Sequence, residues 1–162
     1  MHKPVNVLLM AMAATVGLGV SAQEPATPGA CALLPAPEVK RIAGLDSQLF
    51  DMFPPEEEAL AGGGSSCAYA GVLIQLNPFD PATLERLRTE QGAEWESVAG
   101  LGDAAYFYRN HRSQLDRYGE LYASSGENVL TIQMDVNPPA TSADDVRPAV
   151  VALAQALIDQ LP

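Results

Sequence analysis

The chain is poor in cations, cysteine, histidine and tryptophan. Its 162 residues include 9 Lys plus Arg against 20 Asp plus Glu, which gives a formal net charge of −11. A surface that follows nucleic-acid phosphates needs clustered cations, so we expect no nucleic acid partner. The 2 Cys and 2 His do not have the spacing of a zinc site, so we predict no metal.

Sequence motifs of common enzymes are also missing. There is no Gly-x-Ser-x-Gly, and His111 is the only histidine after the first 22 residues. Gly100-Leu101-Gly102 is followed by Asp103 and a strand-like sequence, whereas a dinucleotide fingerprint opens a helix at that point. We interpret these glycines as a turn, and we predict a non-catalytic protein with no cofactor. An uncharacterised enzyme stays as an alternative.

The N-terminus has the pattern of a secretory signal peptide. Lys3 precedes an apolar run at residues 5–20, and the small residues Ser21 and Ala22 follow. The run is shorter than the roughly 20 residues that a membrane-spanning helix needs. We therefore expect residues 1–22 to be cleaved after Ala22, leaving a periplasmic or secreted protein without a membrane span.

The two cysteines, Cys31 and Cys67, are expected to form a disulfide. An oxidising compartment favours this pairing. Their spacing is far from the Cys-x-x-Cys of redox-active thiols. A bridge closing this loop would stabilise the fold by about 3 to 4 kcal/mol in the loop-entropy model.

The rest of the chain predicts one α+β domain at residues 31–162, after a flexible leader at 23–30. Residues 45–64 read as a loop that Leu49, Phe50 and Phe53 hold in place, with an acidic tip at Glu56, Glu57 and Glu58. We predict helices at 35–44 and 80–91, strands at 67–76, 95–98 and 104–108, and a hairpin of 115–124 with 127–136. A final helix is expected to begin near Thr141 or Ser142. Pro148 is discordant with this start and implies a true start late enough to put the proline in the first turn. This order predicts a mainly antiparallel sheet with helices mostly on one face and a long C-terminal helix.

Three short motifs carry a resemblance to known proteins. They are Cys-Ala-Leu-Leu-Pro at 31–35, Cys-Ala-Tyr at 67–69, and Gly-Leu-Gly-Asp-Ala-Ala-Tyr at 100–106. The chain resembles small exported bacterial domains of unknown function, best known as actinobacterial lipoproteins, and more loosely the extracytoplasmic sensor domains of receptor Ser/Thr kinases. The resemblance implies a cysteine bridge between the first helix and first strand, a tight turn and a closing helix. It implies no catalytic residues, and this chain lacks a lipobox before Cys31.

One basic segment interrupts the acidic sequence. It contains Arg109, His111, Arg112 and Arg117. Tyrosines flank it at the even-numbered positions 106, 108, 118 and 122, a parity that would place them on one sheet face. Guanidinium and aromatic groups together suit a carboxylate, either of a small anionic ligand or of an acidic protein loop. The alternative is a charged hairpin tip, neutralised by Asp116 and Glu120, over a tyrosine-rich face.

These observations lead to two functional hypotheses. The first is a binding module of the cell envelope that recognises a small anionic ligand or an envelope protein through its exposed sheet face. Its candidate residues are Tyr106, Tyr108, Arg109, His111, Arg112 and Arg117. The second is an inhibitor or immunity-type protein, whose acidic surface at Glu56, Glu57 and Glu58 blocks a basic secreted toxin or cell-wall hydrolase.

Overall fold

The computed structural model describes residues 28–45, 48–89, 95–108, 118–136, 140 and 142–162, with the backbone alone for residues 48, 49, 87 and 88. The predicted signal peptide and residues 23–27 of the predicted leader lie outside this part. Seven strands form one sheet in the order β1-β2-β3-β7-β6-β5-β4, and every neighbouring pair is antiparallel. The predicted α+β class is therefore confirmed.

The described residues contain five helices and seven strands. The helices are α1 (Ala30–Leu33), α2 (Ala36–Ala43), α3 (Gln48–Met52), α4 (Pro81–Thr89) and α5 (Ala143–Ile158). The strands are β1 (Glu56–Ala59), β2 (Ser65–Tyr69), β3 (Val72–Pro78), β4 (Trp95–Ser97), β5 (Ala104–Tyr108), β6 (Tyr118–Ser125) and β7 (Asn128–Asp135). The helices predicted at 35–44 and 80–91 are thus present as α2 and α4.

The main core lies between the sheet and α5. This helix packs across β6 and β7, and its buried side chains recur at spacings of three and four, as predicted: Val146, Val150, Leu153, Ala154 and Leu157. They meet a sheet face that carries Leu121 and Ile132, both fully buried. Helices α1 and α2 lie on this same side, against β2, β3 and α5. We call it the helix-covered face.

The predicted disulfide joins Cys31 of α1 to Cys67 of β2. Their Cα atoms lie 5.0 Å apart, although 36 positions separate them in the sequence. Cys67 is fully buried. The bridge therefore ties the first short helix to the helix-covered face.

The prediction for Pro148 was wrong. Helix α5 begins at Ala143, where the Asp145 carboxylate accepts a hydrogen bond from the Ser142 N–H at 3.1 Å. Pro148 is consequently inside the helix. Val146 and Val150 are buried on either side of it, and this packing outweighs the one N–H that proline lacks.

The strand predicted at residues 67–76 is two strands. β2 and β3 form a hairpin whose turn contains Ala70 and Gly71, and Gly71 has φ of +83°. This conformation suits glycine. The turn was missed because apolar or aromatic residues continue through it without a polar interruption.

The loop predicted at residues 45–64 contains two elements, α3 and β1. Glu56, Glu57 and Glu58 are in β1, paired with β2, rather than at a loop tip. Glutamate has low strand propensity, so this strand depends on its partner rather than on its own sequence. Of the predicted anchors, Phe50 is buried and stacks on Tyr69 with ring centres 5.7 Å apart. Phe53, in contrast, is 58% exposed.

Candidate binding surface

The sheet face opposite the helix-covered face carries the candidate surface. One register row crosses five strands of this face: Trp95 pairs with Tyr108, Tyr108 with Glu120, Glu120 with Gln133, and Gln133 with Leu73. All five side chains are partly exposed. We call this row the aromatic strip, and it combines an apolar end with a hydrogen-bonding centre.

The four tyrosines lie on this face, as their parity predicted. Tyr106 pairs directly with Tyr122, and Tyr118 pairs with Asp135. Tyr106 and Tyr122 are buried, however, at 7% and 5% exposure. They pack with Val129 in a second, smaller core, so they support the fold there instead of presenting a free surface. Tyr108 and Tyr118 are the predicted tyrosines that solvent reaches.

Helix α4 covers the second core. Leu84 of α4 and Trp95 of β4 pack on its buried side chains. Asp80 fixes the start of α4, since its two carboxylate oxygens accept hydrogen bonds from the Ala82 N–H at 3.0 Å and the Thr83 hydroxyl at 2.8 Å. Both hydrogen bonds lower the pKa of Asp80, and the one from the Thr83 hydroxyl has the larger effect. Through Leu84 the helix lies against the second core, on which Trp95 of the aromatic strip also packs.

At the apolar end of the strip, Trp95 and Tyr108 form a tilted pair. Their ring centres are 4.8 Å apart and their planes meet at 46°. Such pairs form stable platforms for stacking. The register places them next to Glu120. A ligand resting on the rings would therefore reach a carboxyl group.

Glu120 is a titratable group of the strip, and its pKa is shifted. Burial raises its pKa, and a hydrogen bond with the side chain of Gln133 acts in the opposite direction. A carboxyl group of this kind can hold a proton closer to neutral pH and can donate as well as accept a hydrogen bond. Shifted carboxyl groups in accessible places are common at functional sites.

The predicted basic residues Arg109, His111, Arg112 and Arg117 lie outside the described residues. The segment that contains them begins after Tyr108 in β5 and ends before Tyr118 in β6, and these are adjacent strands. Their role in ligand binding stays a prediction from the sequence.

A second exposed surface lies at the other end of the sheet. All four residues of β1 are exposed, and the apolar side chains of Met52 and Phe53 just before it are 65% and 58% exposed. We call Glu56, Glu57 and Glu58 the acidic edge. The three carboxylates and two apolar side chains suit a protein partner better than a small ligand.

A groove of about 480 Å³ lies on the helix side of the molecule, between α2 and α5. It is lined by Glu38, Arg41, Ile42, Ala152, Gln155, Ala156 and Asp159. Arg41 pairs with Glu38, and Gln155 donates to Asp159 at 2.7 Å. Its polar groups thus already have partners within the protein.

The Gly-Leu-Gly-Asp sequence forms a turn between β4 and β5. Gly100 and Gly102 both have positive φ. Asp103 accepts a hydrogen bond from the Gly126 N–H at 2.8 Å, which ties this turn to the β6–β7 turn. Within the part of the chain that the structure describes, no three His, Cys, Asp or Glu residues are grouped to hold a metal ion. No helix in that part is long and apolar enough to span a membrane.

Sequence reasoning missed four members of the strip: Leu73, Trp95, Glu120 as a ligand-facing group, and Gln133. The hairpin predicted as 115–124 with 127–136 places its turn at Ser125 and Gly126, which is wrong by one position. The observed turn at Gly126 and Glu127 fixes every earlier pair of the hairpin, including Glu120 with Gln133. No comparable signal places Trp95 opposite Tyr108, because the connection between their strands is longer and irregular.

Comparisons with protein-family models, with curated proteins and with solved structures find no match to this chain.

Proposed function

We propose that the protein is an exported, non-catalytic binding domain of the cell envelope. Its ligand, a small anionic molecule or an envelope protein, contacts the aromatic strip. The observation that carries this proposal is the placement of the Trp95–Tyr108 pair next to Glu120, in one register row. The rings offer a stacking platform, and Glu120 with Gln133 offers hydrogen bonds that fix orientation.

The anionic character of the ligand comes from the sequence. Arg109 directly follows Tyr108, and Arg117 directly precedes Tyr118. Guanidinium groups bind carboxylates through paired hydrogen bonds. In this proposal the basic segment supplies the charge and the strip supplies shape and orientation.

A first experiment uses Trp95, the one tryptophan of the chain. Its emission reports on the strip, so the oxidised protein is titrated with sugar acids such as glucuronate and galacturonate. We expect a saturable emission change that is lost in the Arg109→Ala, Arg112→Ala double variant. An emission change that does not saturate, or one that the double variant keeps, contradicts recognition of a small anion here.

A second experiment tests a protein ligand by affinity capture from a periplasmic extract of the native host. The bait is the oxidised protein, and the variants are Tyr108→Ala and the Arg109→Ala, Arg112→Ala pair. Arg41→Ala is the control, since Arg41 is an exposed arginine of α2, which lies on the helix side of the sheet. We expect capture to be lost in the Tyr108→Ala variant and in the double arginine variant and kept in the control, with melting temperatures nearly unchanged. Equal capture by all four proteins would contradict the strip as the binding surface.

A second candidate function is inhibition of a basic secreted toxin or cell-wall hydrolase. The exposure of every residue of β1 supports it. The test is association with a basic cell-wall lysozyme at low and high salt, because contacts between exposed charges weaken with ionic strength. We expect Glu56→Gln, Glu57→Gln and Glu58→Gln together to weaken association. Insensitivity to both salt and these substitutions contradicts this function.

A further inference from the structure

We propose that β1 is a docking edge, to which a basic extended segment of a partner protein adds as an eighth strand. The inference deepens the second candidate function and rests on it, because it specifies how the acidic edge holds its partner. Strand addition of this kind uses main-chain hydrogen bonds for affinity and side chains for specificity.

The backbone of β1 presents hydrogen-bonding groups on its outer side. In the described structure β1 is the end strand of the sheet and pairs with β2. The Leu60 N–H, next along the chain, donates to the Gly64 carbonyl at 2.8 Å and so points toward β2. Because N–H groups alternate sides along an extended strand, that of Glu58 also points toward β2, whereas those of Glu57 and Ala59 point outward.

The side chains of β1 are exposed and concentrate negative charge. The register places Glu56 opposite Ala68 and Glu58 opposite Ser66, on the same sheet face as the aromatic strip, and Glu57 on the helix-covered face. The ion pairs between two described residues are Lys40–Asp51, Arg41–Glu38 and Arg147–Glu96, and none of these involves β1.

The opposite edge of the sheet has a different character. Strand β4 is only three residues long, and its central charge, Glu96, is paired with Arg147 at 3.1 Å. A strand this short, whose charge is already paired, offers a partner few backbone hydrogen bonds and little charge attraction. The acidic edge is therefore the better docking edge of the two.

The negative charge of the acidic edge determines which kind of segment can pair with β1. Pairing with a second copy of β1 would bring glutamates opposite glutamates, which is destabilising. A segment with Lys or Arg at alternate positions would instead place cations opposite Glu56 and Glu58. Met52 and Phe53, exposed just before the strand, provide apolar contact for a neighbouring apolar residue of that segment.

The probe for the experiment is an acetylated and amidated nine-residue peptide with Lys at alternate positions and Val between them. Binding to the oxidised protein is followed by fluorescence anisotropy and by amide hydrogen exchange in NMR spectra. At saturation we expect the exchange of the Glu57 and Ala59 amides to slow by about tenfold or more, which corresponds to one hydrogen bond of about 1.4 kcal/mol. The Glu58 amide, already directed to β2, should change little.

Two matched controls separate strand addition from charge attraction. Ala59→Pro removes an outward N–H and leaves the bonds to β2 in place, since proline is accepted at an edge where the N–H faces solvent. A peptide N-methylated at every residue keeps its charges but has no backbone N–H to donate along either edge, so it cannot pair as a strand. We expect either change to weaken binding by about tenfold or more. The methylated peptide and the exchange measurement need no protein variant, so the test does not depend on how Ala59→Pro folds.

The possible results distinguish the inference from the function on which it rests. If the triple glutamate-to-glutamine variant weakens binding but Ala59→Pro and N-methylation do not, charge alone holds the peptide, and strand addition is overturned while the second function stands. If the glutamine variant binds the peptide as tightly as the parent, or the parent binds none, strand addition by a basic segment is overturned, and the lysozyme association measured at low and high salt decides the second function separately. Slowed exchange at the aromatic strip instead of β1 also overturns the inference.

Discussion

The guanidinium carbon of Arg147 lies 5.3 Å from the centre of the Phe107 ring. The same guanidinium makes two contacts of 3.1 Å with the two carboxylate oxygens of Glu96. One side chain of α5 thus holds β4 and β5 through a cation–π contact and a two-pronged ion pair. Since Trp95 precedes Glu96, these contacts also help to position the apolar end of the aromatic strip.

Replacing Arg147 should therefore destabilise the protein more than replacing an arginine that makes only a surface pair. Arg147→Ala is expected to lower the free energy of unfolding by about 1 to 2 kcal/mol, measured by urea denaturation. Arg147→Lys should recover only part of this, because an ammonium group cannot make the two-pronged contact. Arg41→Ala is the control, since the Arg41–Glu38 pair is exposed. An equal loss in the Arg147 and Arg41 variants would contradict this prediction.

Gly100 and Gly102 differ in the space around them, although both have positive φ. A Cβ at Gly100 would meet nothing, whereas one at Gly102 would collide with the carbonyl oxygen of Ser124. We expect Gly100→Ala to lower the free energy of unfolding by about 1 kcal/mol, because only the left-handed backbone conformation is unfavourable for alanine. We expect Gly102→Ala to lower it by about 3 kcal/mol or more, because the collision adds to this cost. Urea denaturation of both variants tests this. If the two costs are equal, the close packing of this turn on β6 is wrong.

Tyr69 and Tyr122 are both buried, but their hydroxyl groups differ. The Tyr69 hydroxyl donates to the Leu34 carbonyl at 3.2 Å, whereas the Tyr122 hydroxyl has no hydrogen-bond partner among the described residues. Tyr69→Phe should therefore lower the free energy of unfolding by about 1 kcal/mol, and Tyr122→Phe should leave it unchanged or raise it. Thermal and urea denaturation of the two variants compare them. A clear loss in Tyr122→Phe would reveal a partner for its hydroxyl.

Local patterns predicted those elements whose signals are contained in one segment. The alternation of Leu130, Ile132 and Met134 predicted β7, and a helical stripe including Val150 and Leu157 predicted α5. The strand pattern repeats over three apolar residues and the helical pattern over at least two turns. Each pattern can therefore be detected within one segment of the sequence.

Features that depend on distant partners were missed. β1 is a strand because its backbone pairs with β2, and no property of three consecutive glutamates predicts that pairing. In the candidate surface, parity placed Tyr106 and Tyr122 on the correct face, but their burial comes from the position of α4, which the sequence of β5 and β6 does not contain. Trp95 lies in the strip because β4 pairs with β5 in a register that depends on the irregular connection between these two strands.

The raised pKa of Glu120 predicts a pH dependence of stability. Burial, the main cause, favours the protonated form in the folded state over the unfolded one. The folded protein therefore binds more protons than the unfolded chain above the ordinary pKa of 4.5. The stabilisation by this group is fully present below that pH, and it is lost as the pH rises through the raised pKa.

Glu120→Gln removes this loss of stability at higher pH, because the amide does not titrate, and it keeps the size and the hydrogen-bonding capacity of the side chain. We expect the free energy of unfolding of Glu120→Gln, relative to the parent, to be higher at pH 7 than at pH 4. The measurement is urea denaturation at several pH values, with Glu127→Gln, an exposed acid in the β6–β7 turn, as the control for removing one negative charge. If the free energy of unfolding of Glu120→Gln, relative to the parent, falls as the pH rises, the fold stabilises Glu120 as a carboxylate instead. The strip would then present a fixed negative charge beside Tyr108, which would disfavour an anionic ligand and weaken the proposed function.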